Sequence, residues 1–506
     1  MTFRELLQSI EPLKVSGNME TEIKGLCYDS RQVQSGGLFF ALRGSAADGH
    51  RFIGTAVGNG AAAVVAEDGA AMPDGTPFAL VTDARLAMSL MAARFYANPT
   101  DRLPLIGITG TNGKTTTSYI IEAILEEAGI PAALLGTIAY RFRERVFPAP
   151  HTTPESAELQ KLLREMCDLG AKGVVMEVSS HALEQHRVDG CRFDVGVFTN
   201  LTRDHLDYHH DMDSYLDSKK RLFAELLAAD VVKPLRFAAI NIDDPYGRQM
   251  AAAAVCPVYT YGLNADGQVT ARDVRFSVDG ISGLLVTPLG ETPFRSNLPG
   301  RFNLYNILAA ASAGVALGLP LAAISRGIEL HKKVPGRLEM VENDRGAALF
   351  VDYAHTGDAL ENVLRTLTEL ATGRIITVFG CGGDRDRGKR PVMGALAGKM
   401  SGLSVVTSDN PRSEPPGAIM AEIRSGLLPL GIREYAMEEL AGGFTEKGFT
   451  LVESRREAIR LAARVARPGD IILLAGKGHE DYQIIGAEKL HFDDREEARA
   501  ALKDEG

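Results

Sequence analysis

The stretch Gly107-Ile-Thr-Gly-Thr-Asn-Gly-Lys-Thr-Thr-Thr117 decides how the middle of this chain folds. The apolar run Leu103 to Ile108 leads into it and predicts a buried strand. Ser118 to Gly129 follows with isoleucine and leucine at helical spacing and predicts a helix. A glycine turn between a strand and a helix aims backbone N–H groups at an anion, where the helix dipole also favours negative charge. The sequence therefore predicts a phosphate-binding loop.

The residues of this loop have separate tasks. Gly110 and Gly113 let the backbone approach a phosphate closely. Lys114 is expected to reach the β- and γ-phosphates of a nucleotide, and the Thr115 hydroxyl to contact magnesium. The spacing differs from the standard P-loop by one residue, because Ile108 stands where that motif has its first glycine. A glycine turn with an incidental lysine is the alternative that this context disfavours.

The composition indicates a protein of several domains. With 506 residues, of which 45% are hydrophobic, the chain is long enough for about three of them. Its first residues resemble neither a secretory signal nor a membrane span, so we expect a cytoplasmic protein without membrane insertion. Five scattered cysteines without a CxxC pair argue against a disulfide framework or a zinc site. A net charge of -10 disfavours nucleic acid as a partner.

The order of the apolar runs predicts an α/β protein of three domains. Residues 1–98 are expected to form a small N-terminal α/β domain, which ends in a linker from Ala97 to Pro104. Residues 99–335 are expected to form a central mononucleotide-binding sheet of the P-loop type. Residues 336–506 are expected to form a C-terminal Rossmann-like domain.

Two apolar strands of the central domain, Gly173 to Met176 and Val195 to Phe198, each run into polar residues. In an open parallel sheet, ligands collect beyond the carboxyl ends of the strands. Each polar side chain alone is as easily a cap or turn residue, but together they suggest a site beside the phosphate loop. They are Glu177, Ser179, His181, Asn200, Asp204 and His205.

Lys219 lies in a stretch with helical periodicity, Asp213 to Ala229. At 100° per residue it falls near the centre of the apolar sector, while Lys220 lies at the edge. A lysine in such a place must snorkel, pair or lose its proton. A neutral amine can take up carbon dioxide as a carbamate, which is an oxygen ligand of the kind that magnesium prefers. The helical pattern alone leaves both the snorkelling stem and the carbamate open.

Four apolar strands of the last third run into loops that mix arginine with acidic and amide side chains. Arginine can grip a carboxylate with two hydrogen bonds, and acids can hold an ammonium group, so these loops suit a zwitterion. One such loop could be a surface ion pair, whereas four suggest a site. The loops lie within Leu349 to His355, Gly380 to Arg387, Asp409 to Glu414 and Ala475 to Glu480.

Taken together, these residues resemble the Mur ligase family along essentially the whole chain. The loop with its one-residue departure is the family's own form of the P-loop. The resemblance implies three domains that bind the UDP end of a substrate, ATP and an incoming amino acid. The motifs that carry it are GTNGKTT (Gly110 to Thr116), EVSSHALEQHRV (Glu177 to Val188), NLTRDHLDYH (Asn200 to His209), Lys219 in YLDSKKRLF, DYAHTGDAL (Asp352 to Leu360), GCGGDRDRGKRP, DNPRSE and GKGHEDYQ.

The resemblance also implies roles for individual residues. Those for the UDP-muramoyl dipeptide are Ser30, Ser45, Ala46, Ala47, Thr152, Thr153, Ser179, Gln185 and Arg187. Those for ATP are Gly110, Thr111, Asn112, Gly113, Lys114, Thr115, Thr116, Asn303, Arg337 and Asp352. The catalytic residues would be Lys114, Lys219, His205 and Glu177. The magnesium ligands would be Thr115, Glu177, His205 and Lys219, the last as its carbamate, N6-carboxylysine. Those for diaminopimelate are Arg385, Asp409, Asn410, Pro411, Arg412, Gly476 and Glu480.

The activity that the resemblance implies is an ATP-dependent amide ligation in bacterial peptidoglycan precursor synthesis. Meso-diaminopimelate would be joined to the D-glutamate side chain of UDP-N-acetylmuramoyl-L-Ala-D-Glu through an acyl phosphate, releasing ADP and phosphate. Mg²⁺ would assist, and we expect a monomer. Two positions depart from the family pattern: Gly357 stands where relatives usually have proline, and His151 where they usually have asparagine.

Three alternatives to this activity are kept. A lysine-adding relative would lack the DNPR pattern of the last domain. A ligase like folylpolyglutamate synthase would share the central and last domains but not a UDP-binding first domain. A non-enzymatic nucleotide-gated binding protein would not need an acceptor site and would release no phosphate when given an amino acid.

Overall fold

The computed structural model describes residues 1–44, 47–69, 71–204, 206–264, 266–331 and 333–504. The chain divides into a first unit and a second unit. The first unit consists of Met1–Arg272, Leu284–Phe294 and Tyr305–Ile328, and the second of Asp273–Gly283, Arg295–Leu304 and Glu329–Gly506. Within the described ranges, no helix has both the length and the apolar character that crossing a bilayer requires. Both units carry parallel sheets with helices between the strands, so the predicted α/β class is confirmed.

The first hundred residues form a five-stranded sheet. The strands and helices are α1 (Phe3–Leu7), β1 (Lys14–Ser16), β2 (Gly25–Cys27), β3 (Gly37–Phe40), α2 (Ile53–Gly58), β4 (Ala61–Ala66), β5 (Phe78–Leu80) and α3 (Ala84–Phe95). The sheet order is β1-β5-β4-β3-β2. β3 is buried along its whole length, which explains its unbroken apolar sequence.

The segment from Ala97 to Pro104, which the sequence predicts as a linker, is partly buried in the structure. Pro99–Asp101 forms a 3₁₀ turn, and Thr100 is buried. The Thr100 hydroxyl accepts a hydrogen bond from the Arg192 backbone N–H at 3.0 Å, and the Arg192 guanidinium pairs with Asp101 at 2.5 Å. These contacts join the segment to the loop that precedes a central strand.

The elements of the central part are β6 (Leu105–Thr109), α4 (Lys114–Glu127), β7 (Ala132–Leu135), β8 (Tyr140–Phe142), β9 (Arg145–Phe147), α5 (Ser156–Asp168), β10 (Gly173–Glu177), α6 (Ser180–Glu184), β11 (Val195–Phe198), α7 (Leu206–His209), α8 (Met212–Arg221), β12 (Phe237–Asn241), α9 (Gly247–Ala253) and β13 (Val258–Tyr261). Its eight strands form one sheet in the order β13-β12-β11-β6-β10-β7-β8-β9. β6 pairs in parallel with both β10 and β11. The chain therefore reverses its direction across the sheet at β6, and the carboxyl ends of these strands meet at one edge, where α/β proteins bind ligands.

The phosphate loop lies at this reversal, between β6 and α4. The predicted strand is confirmed with its start shifted to Leu105, and all its residues are buried. The helix begins at Lys114 rather than at Ser118, because Gly113 takes φ +88° and turns the chain directly into its first turn. Lys114 and Thr115 thus belong to the helix N-terminus itself.

The helix that carries Lys219 is shorter than predicted. α8 ends at Arg221, and Leu222–Leu226 continues as a π-helical turn. The predicted position of Lys219 in the apolar sector is nevertheless confirmed, since only 1% of this residue is exposed. Such π-helical turns occur frequently at functional sites.

A three-stranded sheet and two helices follow. Their bounds are β14 (Thr270–Ser277), β15 (Gly280–Thr287), β16 (Gly290–Ser296), α10 (Arg301–Ala316) and α11 (Leu321–Leu330). The sheet order is β14-β15-β16.

The second unit contains β17 (Glu339–Val341), β18 (Ala348–Asp352), α12 (Gly357–Leu370), β19 (Ile375–Phe379), α13 (Lys389–Met400), β20 (Leu403–Val406), α14 (Pro416–Leu427), β21 (Arg433–Glu434), β22 (Gly448–Leu451), α15 (Arg455–Val465), β23 (Ile471–Ala475), β24 (Tyr482–Ile485), β25 (Glu488–His491) and α16 (Asp494–Asp504). Seven of these strands form a sheet in the order β17-β18-β23-β19-β20-β22-β21, and β24 and β25 form a separate pair. β18, β23, β19 and β20 run parallel, so the loops after them share one edge.

A buried ion pair holds the last helix to this sheet. Arg455 at the start of α15 pairs with Asp494 at the start of α16 at 2.5 Å, and the two residues are 1% and 0% exposed. The same guanidinium donates to the carbonyl oxygen of Ala475, the last residue of β23, at 3.0 Å. One side chain therefore joins two helices and a strand end.

Removing one member of this pair leaves a buried charge without compensation. We expect Arg455→Met to lower the free energy of unfolding by about 3–5 kcal/mol. Arg456→Met is the matched control, because Arg456 is mostly exposed and pairs with Glu497 at 2.7 Å; its expected cost is below about 1 kcal/mol. Urea titration measures both values. Equal losses in the two variants would contradict this account of the pair.

Candidate active site

The phosphate loop has a backbone that only glycine adopts without strain. Gly110 and Gly113 take φ +142° and +88°. A Cβ atom at Gly110 would lie 2.0 Å from the Thr199 hydroxyl, and one at Gly113 would lie 2.3 Å from Asn306 Oδ1. Both glycines are therefore required by local crowding as well as by conformation.

The residues after β11 hold the loop in shape. The carbonyl of Asn200 accepts the Thr111 N–H and its Oδ1 accepts the Asn112 N–H, each at 2.9 Å. Asn200 Nδ2 and the Thr199 hydroxyl both donate to the Asn112 carbonyl, at 3.0 and 2.7 Å. The loop is thus held in place by the two residues that follow β11.

Two lysine amines meet at one carbonyl of this loop. Lys114 Nζ donates to the carbonyls of Gly110 and Thr111 at 2.8 and 2.9 Å. Lys219 Nζ donates to the same Gly110 carbonyl at 3.2 Å and lies 4.4 Å from the centre of the Tyr215 ring. Burial, and then the nearby Lys114 ammonium, hold the pKa of Lys219 well below its usual value. This environment favours the neutral amine, which is the form that reacts with carbon dioxide.

Glu177, at the end of β10, connects the loop to the next strands. Its carboxylate is buried and accepts the Thr115 hydroxyl at 3.1 Å. It also accepts the backbone N–H and the hydroxyl of Thr137, each at 3.0 Å. The Thr137 hydroxyl in turn lies 3.1 Å from that of Thr152. Thr137 was missing from the sequence predictions, although it follows β7 directly and the rule for strand ends would have indicated it.

The residues expected to hold the dipeptide form one hydrogen-bonded group. Thr153 donates to the Glu177 carbonyl at 2.9 Å and accepts the Ser179 N–H at 3.1 Å. Arg187 donates to the Thr153 carbonyl at 2.9 Å and to Gln185 Oε1 at 2.7 Å. This group is continuous with the phosphate loop through Glu177, so both predicted sub-sites share one edge of the central sheet.

Five other predicted site residues belong to the first unit: Ser30, Ser45, Ala46, Ala47 and His205. Ser45, Ala46 and His205 fall outside the described residues. Ala47 is exposed and accepts the Gly44 N–H at 2.9 Å, and Ser30 is buried at the start of a 3₁₀ turn.

Asn306 is a residue of α10. The structure places its Oδ1 3.4 Å from the Thr117 hydroxyl on α4, beside the phosphate loop. Its side chain therefore packs against the start of the helix that carries Lys114.

Asn303, Arg337 and Asp352 belong to the second unit. Asp352 accepts the N–H groups of Leu338 and Ala354 at 2.7 and 2.8 Å, and burial raises the pKa of its carboxyl group. The Arg337 guanidinium opposes this shift. Asn303 donates to the Pro299 carbonyl at 2.8 Å. These are structural hydrogen bonds, so a role in nucleotide binding stays a prediction.

The loops after β20 and β23 bring predicted amino-acid ligands together. Asn410 Nδ2 donates to Glu480 at 2.9 Å. A Cβ atom at Gly476, which has φ +112°, would lie 3.6 Å from Asp409 Oδ2. Burial, and then the nearby Asp409, raise the pKa of Glu480. At the centre of this cluster lies Lys477, whose role the sequence reasoning did not recognise.

The arginines of the same region differ in their surroundings. Arg412 has φ +52° and donates through Nη1 to the Gly383 carbonyl at 2.8 Å. Pro411 crowds the same glycine, since a Cβ atom there would lie 1.8 Å from the Pro411 carbonyl oxygen. Arg385 is exposed and donates to the Asp384 carbonyl at 3.2 Å. Arg412 is therefore held by a backbone carbonyl in the loop after β20, whereas Arg385 lies on an open loop.

The two departures from the family pattern have simple structural settings. Gly357 is the first residue of α12, after the capping residue Thr356, a position where proline would also fit. His151 is exposed and uses its backbone carbonyl to accept the Tyr140 hydroxyl.

The described part of the chain holds no group of three or more histidine, cysteine or acidic side chains that could bind a metal ion. Thr115 and Glu177 nevertheless place a hydroxyl and a carboxylate 3.1 Å apart at the phosphate loop. Oxygen donors of this kind suit magnesium, which usually keeps several waters and binds one or two carboxylates together with substrate phosphates. The donor set therefore fits magnesium.

Comparison with known proteins gives consistent matches along the chain. Residues 22–96, 108–314 and 336–478 match the models described as Mur ligase family, catalytic domain; Mur ligase middle domain; and Mur ligase, glutamate ligase domain. A UDP-N-acetylmuramoyl-L-alanyl-D-glutamate--2,6-diaminopimelate ligase of Geobacter metallireducens is 66% identical over 504 residues, which covers 100% of this chain and 99% of the relative. One from Geobacillus kaustophilus is 44% identical over 506 residues and covers 100% of both. A solved structure of a ligase with the same name is 33% identical, with a TM-score of 0.72 and coverage of 100% and 99%.

Proposed function

The chain belongs to the Mur ligase family, and from this we propose that it is an ATP-dependent ligase that joins meso-diaminopimelate to UDP-N-acetylmuramoyl-L-Ala-D-Glu in peptidoglycan synthesis. The observation that carries the proposal is similarity over the full chain length to ligases named for this reaction. The loops after β20 and β23 support it, because they carry the acidic Asp409 and Glu480 together with Arg412, and such side chains suit an acceptor with an ammonium group and a second carboxylate.

In the first step, the D-glutamate side-chain carboxylate attacks the γ-phosphorus of ATP. The bond to the β-phosphate oxygen breaks, ADP leaves and an acyl phosphate forms. Lys114 neutralises charge on the phosphates being transferred, and the loop N–H groups between Gly110 and Gly113 hold them in place. The group around Thr153 and Arg187 orients the dipeptide, so that its carboxylate meets the nucleotide at the edge of the central sheet.

Thr115, Glu177 and a carbamate on Lys219 would hold magnesium, with His205 as the fourth residue of the set. Magnesium in such a site neutralises phosphate charge during transfer. The low pKa and burial of Lys219 support the carbamate, because they favour the neutral amine.

In the second step, an uncharged amine of diaminopimelate attacks the acyl carbon. A tetrahedral intermediate forms, phosphate leaves with the electron pair of the broken C–O bond, and the amine loses a proton to give the amide. Asp409 and Glu480 hold the ammonium group at one end of the acceptor, and Arg412 grips the carboxylate that lysine lacks. Pro411, Asn410 and Arg385 complete this site. The enzyme acts as a monomer in the cytoplasm.

The proposal is tested by phosphate release with ATP and the UDP-muramoyl dipeptide. We expect kcat/KM with meso-diaminopimelate to exceed that with L-lysine by at least about 100-fold, because lysine leaves a charged arginine unpaired. Without an amino acid, release should be close to background. Arg412→Met should lower the ratio of kcat/KM for meso-diaminopimelate to that for L-lysine. Arg456→Met should leave this ratio unchanged, because Arg456 lies on the surface. Equal rates with both amino acids would contradict the specificity, and a higher rate with L-lysine would favour a lysine-adding ligase.

The same kind of assay distinguishes the two remaining alternative functions from the proposed one. A ligase like folylpolyglutamate synthase would turn over a folate with glutamate and ignore the UDP-muramoyl dipeptide. A nucleotide-gated binding protein would release no phosphate with any amino acid.

A further inference from the structure

Lys477 is buried among Asp409, Asn410 and Glu480, the residues that we call the acceptor cluster because they are proposed to bind the acceptor amino acid. It is 0% exposed, and its Nζ lies 3.3 Å from Asp409 Oδ1. The same ammonium donates to Asn410 Oδ1 at 3.2 Å and to the Tyr482 carbonyl at 2.6 Å. Lys477 therefore meets a carboxylate, an amide oxygen and a backbone carbonyl, and these groups come from two different strand ends.

These contacts fix which way the Asn410 amide points. Its Oδ1 accepts both the Lys477 ammonium and the Ile484 backbone N–H, the latter at 3.0 Å. Only an oxygen can accept from two donors, so the NH₂ group must face the other way. There it donates to Glu480 at 2.9 Å. Lys477 thus positions Glu480 through Asn410.

Lys477 also sets the charge of the cluster. Asp409 and Glu480 place two carboxylates in a largely buried site, and like charges in such a site oppose each other's ionisation. Burial and Asp409 raise the pKa of Glu480, whereas Lys477 lowers it. One lysine against two carboxyl groups leaves an excess of one acidic side chain in the cluster, which matches a single ammonium group on a ligand.

We propose that Lys477 is a positioning residue for the acceptor amino acid, which holds Asn410 and Glu480 in place and limits the site to one ligand ammonium group. This inference rests on the proposed function. Asp409, Glu480 and Arg412 are proposed to contact the amino acid directly. Lys477 has a different role, because its ammonium group contacts protein atoms and so acts on the ligand through its neighbours.

The test is Lys477→Met, which keeps the length of the side chain and removes its charge. We expect the KM for meso-diaminopimelate to rise by at least about tenfold, as for residues that orient ligands. The KM values for ATP and for the UDP-muramoyl dipeptide should stay within about twofold of the wild type. Lys489→Met is the control, because Lys489 is an exposed lysine 3.8 Å from the Tyr482 ring centre; it should change none of the three constants.

Lys477→Arg tests whether the effect of Lys477→Met comes from the lost charge or from a loss of folding. Arginine keeps the positive charge and its donors, so its KM for meso-diaminopimelate should be closer to the wild type than that of Lys477→Met, with melting temperatures measured for both. An unchanged KM for meso-diaminopimelate in Lys477→Met overturns the inference. A parallel rise of all three KM values in Lys477→Met also overturns it. An equal rise of the KM for meso-diaminopimelate in Lys477→Arg and Lys477→Met would do the same. Failure of the proposed function gives a different result, since wild-type protein would then release no phosphate with meso-diaminopimelate.

Discussion

Lys219→Ala is expected to lower the rate of phosphate release with all three substrates by at least about 100- to 1,000-fold, the range found when one group that stabilises transferred charge is removed. The side chain is buried and donates to the carbonyl of Gly110 in the phosphate loop. Alanine removes the amine, and with it the carbamate that would supply an oxygen to magnesium. The loop itself should keep its shape, because Asn200 and Thr199 hold it.

The alanine variant also leaves space where a small acid can bind. Formate or acetate in the assay should restore part of the activity of Lys219→Ala, since a carboxylate offers the same oxygen donors as a carbamate. Lys220→Ala is the matched control: Lys220 is partly exposed and pairs with Asp217 at 2.9 Å, so its loss should be without effect. Wild-type protein given isotopically labelled bicarbonate should show a carbamate signal that Lys219→Ala lacks. A fully active alanine variant would exclude the carbamate from the mechanism.

Lys114→Met is expected to lower phosphate release by about 1,000-fold or more, because in the proposed mechanism this ammonium group neutralises charge on the phosphates during transfer. In the structure Lys114 Nζ lies on the loop and donates to the carbonyls of Gly110 and Thr111. Methionine keeps the bulk of the side chain and removes the charge. Binding of ATP, measured by calorimetry, should weaken as well.

Lys172→Met serves as the control for this loss, because Lys172 is exposed ahead of β10 in the same unit. Its activity and ATP affinity should equal those of the wild type. Added carboxylates should not rescue Lys114→Met, which separates it from Lys219→Ala. A Lys114→Met protein with wild-type turnover would show that the loop does not take part in phosphoryl transfer.

The parts of the site that lie within one motif could be predicted from the sequence. The phosphate loop has its signal in adjacent residues, since a buried strand, two glycines and a lysine each leave a local mark. Lys219 could be placed in the interior because helical periodicity fixes its direction, even though the helix changes to a π-helical turn after Arg221. Both features depend on short-range geometry.

The residues that escaped prediction act through partners distant in the chain. Thr137 matters because it meets Glu177, forty positions later, and Lys477 because it reaches back to Asp409 and Asn410. The rule for strand ends indicates the position of Thr137 but not its contact with Glu177, and no local pattern reports the contacts of Lys477. The sequence likewise does not report the packing of the segment after Ala97, because its composition is that of a loop and its contact with Arg192 is distant in the chain.

The junction of Arg455 with Asp494 limits how this protein can be trimmed. A C-terminal truncation that ends ahead of Asp494 removes the carboxylate and strands a guanidinium in the interior, although the seven-stranded sheet stays whole. A fusion partner or purification tag belongs beyond α16, where it leaves this junction intact.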